Sequence, residues 1–223
     1  MAAVRLKLEG FKNMGRNLDP KCKQCRRVGE KLFLKGARCF SPKCAMVKRN
    51  YPPGMHGPKG QSRLSGYGQQ LREKQKAMKT YRLNEKQFNN YYKKAKKIKG
   101  NTAENLLILL ETRLDNVVYR LGFAVSRDKA RQIVSHGNLL LNNRSVDIPS
   151  IQAKTSDLIT VKPHKITNSY YQEVIKKLNK KSIPSWLTII NDNKLEAKIV
   201  KIPAPFEINS GLDFPIIIEY YSQ

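Results

Sequence analysis

The residues best suited to chemistry are four cysteines, spaced Cys22-x2-Cys25, then 13 residues, then Cys39-x4-Cys44. Two short-spaced pairs divided by a loop can place four thiolates at the corners of a tetrahedron, each about 2.3 Å from one zinc ion. Lys21, Lys23, Arg26, Arg27, Arg38 and Lys43 surround them. Cations favour thiolate over thiol and soften the double negative charge of a zinc tetrathiolate. Four protein ligands close the shell and leave no position for a catalytic water. The expected metal is therefore one structural Zn2+ on Cys22, Cys25, Cys39 and Cys44. Disulfides, an iron–sulfur cluster and four unliganded thiols stay open as alternatives, though nothing in the sequence points to the oxidising compartment that disulfides need. His56 could substitute for a cysteine but lies far along the chain for the simplest ribbon. With His136 and His164 it is scattered, and no nucleophile–base pairing can be drawn for a hydrolase.

The second signal is charge. Of 223 residues, 43 are Lys or Arg and 17 are Asp or Glu, a net charge of +26 with a pI near 10.1, and 40% are apolar. That apolar share supplies a core, and a balance this basic calls for a polyanion, most often nucleic acid. Residues 1–100 hold 27 basic and 5 acidic residues, whereas those after Pro184 hold 3 and 5. The polyanion should therefore lie along the N-terminal half, with the C-terminal stretch as core or protein-facing surface. No apolar run nears the roughly 18 residues of a membrane span, and MAAVRLKLEG has no signal-peptide core. The expectation is a soluble protein inside the cell, with no membrane partner.

Certain elements must position these groups. The run Tyr51-Pro52-Pro53-Gly54 with Gly57-Pro58 and Gly60 breaks regular structure and, with Lys48, Arg49, Lys59 and Arg63, forms an extended cationic arm. Residues 69–79 read as a helix after the turn at residues 65–68. Asn84 with Gln87 has capping-box spacing, and Phe88, Tyr91, Tyr92, Ala95 and Ile98 recur on one face opposite a row of lysines. A helix from Glu104 to Leu121 is expected to run unbroken, with Gly122 as its stop. Ser126 caps a shorter helix that Gly137 ends, with Ala130, Ile133 and Val134 on its buried side. Leu139–Leu141 and Val146 flank a hairpin turn at Asn142-Asn143, and Asp157–Val161 is a further strand. One more helix around Tyr170–Leu178 follows, then strands at 194–202 and 214–221. Trp186 reads as a core residue.

The run RLDNVVYRLGFAVSRDKARQIVSHG, Arg113 to Gly137, followed by LLLNNRSVDIPS, closely resembles the small RNA-binding module of the small-subunit ribosomal protein four family. The flanks resemble the same family across essentially the whole chain: KLFLKGARCFSPKCAM, YPPGMHG, SGYGQQLREKQK and Pro184-Ser185-Trp186-Leu187. The fold this implies is α+β. Residues 1–48 form a zinc ribbon or knuckle, 49–109 the basic arm and a helical domain, and 110–168 the helix–helix–hairpin module. Residues 169–223 supply a helix and strands returning onto the helical domain. Where family members typically carry Asn-Gly at the hairpin tip, this chain has Asn142-Asn143. Retention of all four cysteines resembles the family's zinc-binding form.

By matching position, the resemblance makes Arg113, Arg127, Lys129, Arg131, Gln132, His136, Asn142 and Arg144 RNA-facing. The arm and the helix after it add Arg49, Tyr51, His56, Arg63, Tyr67, Gln70, Arg72 and Lys76. Helical spacing supports Arg127 and Arg131 as a phosphate clip four residues apart, opposite the apolar stripe and removable without a cavity. Arg120 could contact RNA or pair with Asp115 or Asp128. The implied function is a non-enzymatic constituent of the small ribosomal subunit that binds its RNA early and organises a junction in the 5′ domain. The implied partners are small-subunit ribosomal RNA, ribosomal small-subunit protein five, and messenger RNA near the channel by which it enters. A role in decoding accuracy and, in some members, repression of their own message also follow from the resemblance. The implied location is the ribosome, cytoplasmic or organellar. Two rivals carry the same module: a non-ribosomal RNA-binding regulator, and a pseudouridine synthase, whose Arg-Leu-Asp signature Arg113-Leu114-Asp115 mimics. Against the second, those enzymes carry the triplet in a separate, larger catalytic domain, whereas here it runs on into VVYRLG at helical spacing.

Overall fold

A computed structural model of the chain describes residues 19–60, 63–178 and 183–222; the first 18 residues of the expected zinc-binding segment lie outside this set. Helix α1 (Lys21–Val28) holds the first cysteine pair, a 3-10 turn at Gly36–Cys39 holds the third cysteine, and Cys44 precedes α2 (Ala45–Lys48). Cys25, Val28, Leu32, Leu34, Cys44 and Met46 make a core of their own. It is small, and the arm beyond it is pinned rather than packed: Arg26 donates to the Tyr51 and Pro52 carbonyls at 2.9 and 3.1 Å.

The helical lobe follows. Ser65 Oγ accepts from the Gly68 N–H to begin α3 (Gly66–Thr80), and Asn84 and Gln87 form the expected capping box of α4 (Glu85–Lys97). Asn101 caps α5 (Thr102–Glu111). Ala77, Tyr81, Phe88, Tyr91, Ala95, Leu106 and Leu110 lock these helices together. The lysine row of α4 (Lys93, Lys94, Lys96 and Lys97) stays exposed.

The single helix expected over Glu104–Leu121 is instead two. Arg113 leaves helical geometry at φ −63°, ψ 136°, and α6 (Leu114–Arg120) begins in a new direction. The break is driven from a distance: Leu114 N–H donates to the Ile151 carbonyl, and Ala153 N–H to the Thr112 carbonyl, both at 2.9 Å. Backbone groups that a helix would have bonded internally are satisfied by a passing segment. Ser126 then caps α7 (Arg127–Ser135) as the sequence predicts.

The hairpin β1 (Leu139–Leu141) and β2 (Arg144–Val146) turns through Asn142 and Asn143, whose φ values of +51° and +65° suit a type I′ turn. Asparagine tolerates this region less readily than glycine, and Asn142 compensates by bonding its side chain to Asp157 and to the Leu158 N–H. After β3 (Leu158–Val161) come α8 (Pro163–Ile166), α9 (Ser169–Lys177), β4 (Leu187–Asn191) and β5 (Glu196–Ile199). The antiparallel sheet runs β2-β1-β3-β5-β4. The C-terminal strands therefore extend the module's own sheet instead of returning to the helical lobe, because β5 pairs with β3 at Ile159–Ala197. Trp186 is buried in the core beneath.

The last element corrects the sequence reading outright. Residues 214–221 were expected as a strand, but α10 (Phe214–Ser222) is a helix, packed on α3 and α5 through Phe214, Ile217 and Tyr221. Asp213 Oδ1 accepts from the Ile216 N–H, and Pro215 sits in the first turn, both standard helix starts.

Candidate nucleic-acid interface

Buried ionic groups join the helical lobe to the module, and they account for several cations the sequence had assigned to RNA. Glu111, at the end of α5, is fully buried. It accepts from Tyr81 Oη at 2.7 Å, from Asn116 Nδ2 at 2.7 Å, and from Arg120 Nε and Nη2 at 2.9 and 2.7 Å. Arg127 lies over the Tyr81 and Tyr119 rings, with its guanidinium 3.9 Å from Glu111. Burial pushes the Glu111 carboxyl upward, yet Arg120, Arg127 and the Tyr81 hydroxyl outweigh it and hold the group below its ordinary value. Burial likewise raises the Tyr81 phenol, with the Glu111 charge adding to it. Nearby, Arg113 donates twice to Asp115, at 3.0 and 2.7 Å, and once to Tyr91 Oη at 2.6 Å. Arg82, φ +57° in the turn after α3, donates to Asp128 at 2.6 Å, and Lys21 pairs with the same carboxylate.

Four site assignments change accordingly. Arg113 is 2% exposed and spent on Asp115, so it offers RNA nothing. Lys76 is buried between Glu30 and Glu73, at 2.8 and 3.4 Å. Arg127 and Arg131 do not form a free clip: Arg131 donates to the Arg82 carbonyl at 3.2 Å and lies 3.8 Å from Asp115, so truncating the pair would open the lobe–module junction. The physical reason is shared. A cation directed away from the core of its own element still meets another lobe, and once desolvated it requires an internal carboxylate there. Arg120 pairs with Glu111, not with Asp115 or Asp128.

Glu111→Ala should accordingly cost about 3–5 kcal/mol, the usual penalty for leaving buried charge unpaired. Urea unfolding at neutral pH reads this directly, and a loss below about 1 kcal/mol would show the network to be incidental. The sign with pH follows from the lowered carboxyl. Its stabilisation is present above the unfolded-state pKa and disappears as pH falls through the folded-state one, so wild type and variant should converge in acid.

The remaining assigned residues do reach the surface. Gln132, His136, Asn142 and Arg144 are exposed on α7 and the hairpin, and Lys129 is half-buried, its ammonium 4.8 Å from the Tyr170 ring centre. On the arm, Arg49, His56 and Arg63 are exposed, while Tyr51 is half-buried beneath the Arg26 guanidinium. Tyr67 is exposed against Tyr220, Gln70 donates to Glu219 at 3.3 Å, and Arg72 is half-buried beside the Arg27 carbonyl.

Three hollows lie along this surface, and four of these residues, Lys129, Gln132, His56 and Arg72, line two of them. One of about 420 Å³ runs between the cysteine segment and α7, lined by Lys21, Lys35, Arg38, Lys129 and Gln132 among others. A second, about 560 Å³, lies behind the arm against Arg27, His56, Arg72 and Gln75. The third, about 210 Å³, opens between α4 and α7, with Gln87, Asn90, Lys94 and Ser150 at its wall. Sequence reading did not single out Lys35, Asn90 and Lys94, which line these hollows, and placed Arg38 only beside the thiols. For Lys35 and Arg38 the available signal was the absence of any acidic residue between Glu30 and Glu73; for Lys94 it was the lysine row of α4, and Asn90 carried none.

The four cysteines line one small cavity of about 20 Å³ with Lys21, Leu34, Lys35, Ala45 and Met46. Lys35 N–H donates to Cys39 Sγ at 3.4 Å. Burial raises the Cys25 thiol, with a backbone hydrogen bond from Leu32 opposing it and the other three cysteines adding to it. Among the described residues no group of three or more His, Cys, Asp or Glu stands in ready-made ligand geometry. The donor set nonetheless suits zinc, with four sulfurs on one cavity and backbone N–H groups turned to two of them. Among the described residues no helix is long and apolar enough to cross a membrane.

A helix–helix–hairpin module with ion-paired arginines inside and exposed cations such as Lys35, Arg38 and Lys94 along the hollows outside marks the RNA-binding class of protein. Residues 16–111 match the ribosomal protein S4/S9 N-terminal domain, and residues 112–159 the S4 domain. The chain is similar to small ribosomal subunit protein uS4A of Nitrosomonas europaea (49% identical) and to small ribosomal subunit protein uS4 of Clostridioides difficile (47%) and Syntrophomonas wolfei (46%). Each alignment covers 94% of this chain and 100% of the relative. The chain belongs to the ribosomal protein S4 family, which is structural and non-enzymatic.

Proposed function

We propose that this chain, a structural component of the small ribosomal subunit, is a primary binder of the subunit's RNA that joins early and organises a junction in the 5′ domain. The observation that supports this best is the segregation of charge. Exposed cations occupy the cysteine segment, the arm, α4 and the hairpin, with half-buried Lys129 beside them on α7, whereas the chain after Pro184 has a net charge of −2. RNA follows the first surface. The second, where Val200, Ile202 and Phe206 are exposed, faces protein, with ribosomal small-subunit protein five as the proposed neighbour. That contact would place the chain beside incoming messenger RNA and give it a part in decoding accuracy. Its place is the ribosome, proposed to be that of the cytoplasm.

One structural Zn2+ on Cys22, Cys25, Cys39 and Cys44 belongs to the same reading. It would hold the cysteine segment in the shape that forms one wall of the groove along α7. It supplies no reaction.

Crosslinking in intact small subunits tests the proposal. Lys35, Arg38, Lys129 and Arg144 should crosslink to RNA, and residues 200–206 to protein. RNA crosslinks dominated by residues 185–206, or absence of the chain from purified subunits, would refute it.

A further inference from the structure

Phe33 and Phe40 are displayed where nothing in the fold requires exposed aromatic rings. Their centroids are 4.9 Å apart with 28° between planes, and Phe40 is 77% and Phe33 39% exposed. Phe33 sits at φ +51°, a region that bulky side chains avoid. It is held there by its neighbours: Leu32 and Leu34 on either side are buried in the cysteine core. The result is an outward-facing ring that backs a second ring whose outer face is open to solvent.

The loop carrying this pair is fixed in position. Gly36, at φ +59°, presses so closely on the module that a Cβ there would stand 2.7 Å from the Val125 carbonyl oxygen. Lys35 and Arg38, which flank the rings in sequence, line the groove leading to Lys129 and Gln132 on α7. Lys31 and Lys43 are exposed nearby along the chain. From residue 31 to residue 72 there are nine basic residues and no acidic one. An apolar protein partner would have to cover these cations without supplying counter-charge. A nucleotide meets both needs at once, with a π-face for the ring and a phosphate for the cation.

We propose that Phe40, backed by Phe33, is a stacking platform for one unpaired base of the bound RNA. This rests on the RNA-binding reading above and adds a contact that is neither ionic nor a matter of helix shape. Because every base has a π-face, the contact tolerates any base identity but requires an unpaired nucleotide.

The test uses the full chain with zinc present and a 5′-domain transcript of small-subunit ribosomal RNA. Phe40→Ala should weaken binding roughly 5- to 150-fold, the effect of losing one stacked base, with the salt dependence unchanged. Lys35→Ala or Arg38→Ala should instead flatten the salt slope by about one phosphate each. Phe40→Tyr and Phe40→Trp should keep full affinity. In F40W, RNA should quench the new indole, over a constant background from Trp186, which is 1% exposed. Wild-type affinity in Phe40→Ala, full rescue by Phe40→Leu, or unquenched F40W emission in the complex would each overturn the platform. Failure of the wild-type chain to bind the transcript even at 50 mM salt would instead overturn the RNA reading, and the platform with it.

Discussion

Raising salt from 50 to 200 mM should weaken the complex with 5′-domain ribosomal RNA by roughly 10³–10⁵-fold, as expected when about 6–10 phosphates are neutralised. The relation comes from duplex DNA and carries over loosely to folded RNA. Net charge alone would suggest a still steeper dependence, since the chain carries +26. The structure argues against that, because Lys76, Arg82, Arg113, Arg120 and Arg127 are already neutralised by internal carboxylates. The exposed cations bordering the three hollows are the proposed source of the released counter-ions. Titration over four salt concentrations gives the slope, and a slope corresponding to fewer than about three phosphates would contradict the interface. A scrambled RNA that preserves the helices and junction should bind nearly as well, since A-form major grooves are too narrow for side chains to read.

Removing the proposed zinc should have the larger effect on structure. The cysteine segment's core consists of six side chains, two of them Cys25 and Cys44 themselves. That is too little to hold a basic segment folded, whereas structural zinc supplies about 10–16 kcal/mol in finger peptides at neutral pH. A strong chelator should release one zinc per chain and expose residues 21–49 to protease. Cys39→Ser should do the same without chelator. The module, with Leu114, Val118, Ile159 and Trp186 in its own core, should stay resistant. RNA affinity should fall as well, because the groove along α7 loses the wall that Lys35 and Arg38 supply. Elemental analysis finding no metal in protein prepared under reducing conditions would end the zinc proposal and leave family membership untouched.

The sequence alone made legible whatever a few neighbouring residues decide among themselves. The Asn84–Gln87 capping box, the Ser126 cap and the glycine stop at Gly137 are such cases. Each is satisfied within one helical turn, so its energetics are contained in adjacent residues. The hairpin at Asn142-Asn143 was equally legible, because only a few residue types accept two consecutive positive φ values. The clustered cysteines, the acid-free basic run and the module's resemblance to its family likewise need no tertiary knowledge.

Tertiary structure decided every question whose answer depended on a distant partner. Residues 214–222 open on the apolar run Phe214–Ile218, which suits strand or helix by composition, and the space between α3 and α5 made the segment a helix. The cues at Asp213 and Pro215 were present but weaker than the β-branched run. The break at Arg113 was written in residues 149–153, some 40 positions later, where backbone partners were waiting. The destinations of the arginines were least legible of all. Sequence shows that Arg113, Arg127 and Arg131 are cations on helices, but whether a guanidinium meets phosphate or carboxylate depends on which lobe folds over it. Burial then decides, because a desolvated cation must be paired within the protein while an exposed one remains available to RNA.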